Sequence, residues 1–159
     1  MFRRKIRSLI RVLPLMLVVG LTACRTTNPL PPVNLAETGW TIRQGQAVWK
    51  PDRRAPEMVG DILVATHGDG RAFVQFTKTP LPFAVAQQSR EAWSLEFPLM
   101  SQRFAYRGRP PERIIWFQLA RHSTGSPIGK SWLWREVENE NWHLENRSTG
   151  ETLEGAFNP

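Results

Sequence analysis

From Gly39 onward the chain is a succession of short apolar runs cut at close intervals by turn residues, and this rhythm limits it to an antiparallel sheet. Ile62-Leu63-Val64-Ala65-Thr66 and Ala72-Phe73-Val74-Gln75-Phe76 flank Gly68-Asp69-Gly70, whose glycines supply the positive φ of a tight connection. Residues 83–86 and 93–97 flank the polar link Gln-Gln-Ser-Arg-Glu, and residues 103–107 extend the series. Trp132-Leu133-Trp134 and Trp142-His143-Leu144 pair across Asn139-Glu140-Asn141, and residues 151–157 follow the turn Ser148-Thr149-Gly150.

One segment departs from the period of two. Pro110-Pro111-Glu112 precedes Ile114, Ile115, Trp116, Leu119 and Ala120, which recur at helical spacing. Proline and a carboxylate in the first turn mark a helix start, and Gly125 followed by Pro127 marks its stop. The spacing predicts one helix over 112–122 that covers a face of the sheet. The fold class is therefore α+β, mostly antiparallel β, in a single domain over 39–159.

Ahead of that domain, Arg3, Arg4, Lys5, Arg7 and Arg11 precede an almost wholly apolar run over 12–23, the basic and apolar regions of a secretory signal. That run is too short for a stable bilayer span. It ends in Leu21-Thr22-Ala23-Cys24, which resembles the bacterial lipobox, so residues 1–23 read as a lipoprotein signal peptide and Cys24 as the lipidated residue. Two or more acyl chains, at about 0.8 kcal/mol per buried methylene, give a stable membrane anchor. Residues 24–38, with Pro29, Pro31 and Pro32, read as an extended tether. Arg25 follows the cysteine in place of the Asp that retains such lipoproteins in the inner membrane, which points to the periplasmic face of the outer membrane.

Cys24 is the sole cysteine, so a domain in the oxidising envelope must be held by its core rather than by an internal disulfide. The leader also distorts the charge. The whole chain carries +7, but five of its 21 basic residues lie in the first eleven, which leaves 16 against 14 acidic residues. A nucleic-acid partner loses its electrostatic footprint.

Chemistry-bearing residues are few. His67 beside Asp69 falls at a hairpin tip, His122 at the helix end where a cation is favoured, and His143 alternates with Trp142 and Leu144 toward solvent. No two histidines share ligand spacing, and acylated Cys24 offers no thiol, so neither a metal nor another cofactor is expected. Glu136, Glu138 and Glu140 read as a solvated strand end or edge protection. With no phosphate loop and no nucleophile elbow, a non-enzymatic role is expected.

Seven tryptophans remain. Large aromatics are first of all core material. Trp132 and Trp134 point to one face of a strand, and with Trp116 on the helix they form the alternative to a filled core, an apolar cavity between helix and sheet suited to an acyl chain.

The order of elements over 74–130 resembles the outer-membrane lipoprotein receptor family LolB and, more loosely, the LolA-like half-barrels. Phe76-Thr77-Lys78-Thr79-Pro80-Leu81-Pro82 looks like the family's strand and protruding apolar loop. Thr124-Gly125-Ser126-Pro127-Ile128-Gly129 is similar to the link after its helix, and Trp132 falls near a family tryptophan. The resemblance implies a curved sheet or half-barrel whose mouth the helix closes. It also puts Leu81 at the exposed loop position that engages membrane or cargo, the alternative being a Pro-flanked turn residue folded back on the core. Beside the cavity residues Trp116, Trp132 and Trp134, it implies acylated lipoproteins or a periplasmic carrier as partners. The shorter C-terminal part implies fewer strands and a shallower cavity.

Two function classes follow. One is a carrier or receptor of acyl chains, and the other is an envelope lipoprotein with a filled core that binds protein or peptidoglycan. Volume discriminates them, because tryptophans that fill the interior exclude the first and tryptophans that line a void of a few hundred Å3 favour it.

Overall fold

The computed structural model describes residues 30–137 and 141–159. Cys24, the leader, Glu138, Glu140 and most of the Asn139–Asn141 turn lie outside the described residues. Among the described residues nine antiparallel strands form one sheet: β1 (Trp40–Lys50), β2 (Met58–His67), β3 (Ala72–Lys78), β4 (Leu81–Gln88), β5 (Ala92–Phe97), β6 (Gln102–Arg107), β7 (Trp132–Glu136), β8 (Asn141–Asn146) and β9 (Thr152–Phe157). Their order is β6-β5-β4-β3-β2-β1-β9-β8-β7. The end strands β6 and β7 do not pair, so the sheet is not closed into a barrel. Among the described residues the one α-helix, α1 (Ile115–Ser123), lies in the connection that carries the chain from one sheet edge to the other.

The hairpin expected around Gly68-Asp69-Gly70 forms, with Val64 opposite Val74 and Thr66 opposite Ala72. Gly70 has φ +92°, as the turn requires. The expected pairings of 83–86 with 93–97 and of 132–134 with 142–144 also form. β1 is the strand that alternation does not reveal, because its centre reads Arg43-Gln44-Gly45-Gln46. Gly45 explains the interruption: a Cβ there would collide with the backbone carbonyl of Ala156 on β9, so only glycine permits the close approach of β1 to β9.

The register places Ile62, Val64, Val74, Phe76, Ala84 and Ala86 on one face, and all six are buried. α1 packs on that face against β2, β3, β4 and β8, burying Ile115, Trp116, Phe117, Leu119 and Ala120. Helix formation starts at Ile115 rather than at the expected Glu112. The Glu112 carbonyl is occupied elsewhere, accepting the Trp132 indole N–H at 2.6 Å and the Gln118 side-chain amide at 2.9 Å. The expected stop is observed: Gly125 has φ +70° and donates to the His122 carbonyl, while Ser126 N–H bonds the Arg121 carbonyl, closing the last turn.

Candidate functional site: an aromatic cavity under the helix

The inner face of the sheet is divided between a filled half and an open half. In the filled half, rings stack across β7, β8 and β9. His122 lies 3.6 Å from Trp134, Trp134 lies 5.4 Å from Trp142, and Trp142 lies 5.3 Å from Phe157. Arg43 caps the row, 4.0 Å over the Phe157 ring, within cation–π range. Burial holds the His122 imidazole below its ordinary pKa, with Arg43 adding to that effect and Glu136 opposing it.

Trp132 closes this half. It is 4% exposed and ties β7 to the turn before α1 through Glu112. Gln118, fully buried, completes the tie by accepting from the Gly129 N–H at 2.7 Å.

In the open half, residues 111–116 at the start of α1 face side chains of β1, β5 and β6 across a cavity of about 570 Å3. Trp49, Trp93, Leu95 and Phe97 form the sheet side, Ile114, Ile115 and Trp116 the helix side, and Phe104 and Tyr106 the edge. Ring contacts brace these walls: Trp116 stacks on Phe76 at 5.4 Å and tilts against Trp49 at 5.3 Å, and Trp93 meets Phe117 edge-on at 5.4 Å. The size lies within the range of small-molecule sites, roughly 300–1,000 Å3, and the lining has their mostly apolar character.

Two charged residues reach this cavity. Arg113 is exposed at its rim. Glu151, just ahead of β9, is half-buried on its wall and accepts the Trp49 indole N–H at 3.0 Å. Burial pushes the Glu151 carboxyl up to about 7, against the lowering effect of the Trp49 hydrogen bond. A second hollow of about 560 Å3 mixes Val48, Val59 and Val137 with Arg135, His143 and Glu154. The cavity at the start of α1 is the more aromatic of the two and fits an apolar ligand.

Of Trp116, Trp132 and Trp134, the three expected around one cavity, only Trp116 lines it. Trp132 is a structural tie, and Trp134 belongs to the stacked row. Leu81 lies outside the lining at the start of β4, 52% exposed. The protruding loop expected around it is only the Thr79-Pro80 connection between paired strands. Leu81 nevertheless shares one sheet end with Leu99 and Met100 of the β5–β6 connection, all three exposed. Trp49, Trp93 and Glu151 were not expected in the site. Parity along β1 and β5 would have placed both tryptophans inward once β1 was recognised as a strand.

The remaining histidines have local partners. His67 Nδ1 lies 2.9 Å from Asp69, and Arg71 pairs with Asp69 and with both oxygens of Glu37, so this cluster fastens the approach segment to the β2–β3 hairpin. Hydrogen bonds, chiefly from Arg71, hold Asp69 down to about 2. His143 contacts Glu154 at 3.1 Å rather than standing free in solvent. Among the described residues no three His, Cys, Asp or Glu gather as metal ligands, and no helix is long and apolar enough to cross a membrane. No protein-family model matches the chain, and no similar sequence is found among curated proteins.

Proposed function

We propose that this chain is a lipid-anchored protein of the bacterial envelope whose sheet acts as a LolB-like half-barrel, accepting acyl chains at the outer membrane. The observation that carries the reading is the unfilled aromatic cavity of about 570 Å3 between the start of α1 and β1, β5 and β6. Each methylene moved into it from water contributes about 0.8 kcal/mol, so ten buried methylenes supply affinity without a covalent step or cofactor. The curved, half-barrel form is supported by α1 reaching strands from β4 to β8, and by Gly45 and Gly155, each of which leaves no room for a Cβ against a neighbouring strand. The anchor is supported by the basic leader and by Leu21-Thr22-Ala23-Cys24. Exposed Leu81, Leu99 and Met100 give the sheet end they share an apolar lip that meets a membrane or an incoming chain.

The test is quenching of tryptophan emission by a fatty chain carrying a nitroxide, added to the full-length Cys24→Ala protein. Saturable quenching, displaced by unlabelled chain and weakened in Phe104→Glu, is expected. Phe104 is 42% exposed at the cavity edge, so the charge disturbs the ligand path more than the core. A folded protein without saturable quenching would return the chain to the class of protein- or peptidoglycan-binding envelope modules.

A further inference from the structure

The cavity wall is apolar except at two points, and these differ in kind. Arg113 stands at the rim in contact with water, where its charge is screened and its side chain free to turn away. Glu151 is half-buried and held in direction, because Trp49 Nε1 donates to its Oε1 at 3.0 Å. The indole satisfies one carboxyl oxygen. Neighbouring cations do not reach the other: Lys50 at the end of β1 pairs with Glu57 at 3.4 Å, and Arg53 donates to the Arg147 carbonyl at 3.5 Å. Among the described residues Glu151 makes no ion pair, and its second oxygen is open to solvent at the cavity wall. A ligand N–H that replaces water there makes a hydrogen bond to a charged group, stronger than one between neutral partners.

We propose that Glu151 is the headgroup anchor of this cavity, selecting an amphiphile whose polar end is an N–H donor, an amide or amine nitrogen on an alkyl chain, over one that ends in a free carboxylate. The proposal rests on the acyl-chain reading of the cavity and adds its specificity. An N–H donor reaches the open oxygen of Glu151 while the chain lies along Trp93, Leu95 and Trp116. A carboxylate brought to the same place sets two acids together with only one indole donor between them. Either the ligand or Glu151 must then carry an extra proton.

The experiment measures binding of three C12 ligands, dodecanamide, dodecylammonium and dodecanoate, to the full-length Cys24→Ala protein at pH 8. Glu151→Gln and Phe104→Glu are measured in parallel. The expected result is that the amide and the ammonium bind about tenfold more tightly than dodecanoate, the scale of one hydrogen bond to a charged group. In Glu151→Gln the ammonium loses its advantage and dodecanoate gains. Equal affinity of all three ligands for the unsubstituted cavity, with weaker binding in Phe104→Glu, would overturn the Glu151 assignment while leaving the acyl-chain reading in place. If none of the three binds, both fall. Gln retains an oxygen for the Trp49 indole, and should Glu151→Gln lose structure, the order of the three ligands with Glu151 intact decides alone.

Discussion

Trp49 on β1 donates its indole N–H to Glu151 ahead of β9 at 3.0 Å, and the two side chains together form the polar corner of an otherwise aromatic cavity. Burial raises the carboxyl from its ordinary 4.5 to about 7. Between those values the folded protein keeps a proton that the unfolded chain has released. Stability from this group is therefore complete below about pH 4.5, falls as pH rises toward 7, and is level above it. At pH 8 Glu151→Gln should be the more stable protein by on the order of 1–3 kcal/mol, allowing for the solvent that reaches the carboxyl. His122, whose lowered pKa gives a dependence of opposite sign, is common to both proteins and cancels in the difference. Thermal melts of the two from pH 4 to pH 8 check this, and parallel curves would refute it.

Gln118 is fully buried and joins the Glu112 carbonyl to the Gly129 N–H. Gln118→Leu keeps the volume but leaves that N–H without its partner, which costs about 1–3 kcal/mol. Denaturant unfolding should record a lower midpoint with an unchanged slope.

Leu81 is half-exposed at the sheet end that bears the apolar lip. Leu81→Glu should change stability by no more than about 0.5 kcal/mol, while abolishing transfer of acylated protein to the membrane in the native host. Normal lipoprotein sorting in that variant counts against the lip as the point of engagement.

Cys24 carries the anchor in this account. Growth with an alkyne-bearing fatty acid should label the unsubstituted protein and leave Cys24→Ala unlabelled. Equal labelling of both would mean that the lipid sits elsewhere.

Much of the sheet was legible because most of its strands are amphipathic and obey a period of two. The helix was legible because Pro110-Pro111 and Gly125 bracket it. β1 was not, since glycine at position 45 serves contact with β9 rather than a hydrophobic face, and such a requirement appears only once the strands are assembled. The site was legible in kind but not in membership. Sequence parity put Trp132 and Trp134 on the inner face, where they do lie. It could not show that Glu112 would capture the Trp132 indole, or that His122 and Trp142 would sandwich Trp134. Trp49 and Glu151 are 102 residues apart in sequence, and their meeting depends on β9 pairing with β1, a nonlocal choice that no short motif announces.

The central claim is that the cavity under α1 holds an acyl chain, and native mass spectrometry of the full-length Cys24→Ala protein with a diacylated peptide tests it most directly. The account predicts a one-to-one complex that is lost when Leu95→Trp fills the chamber in a protein of unchanged fold. A folded, unsubstituted cavity that takes no peptide, or a complex that survives Leu95→Trp undiminished, would contradict it.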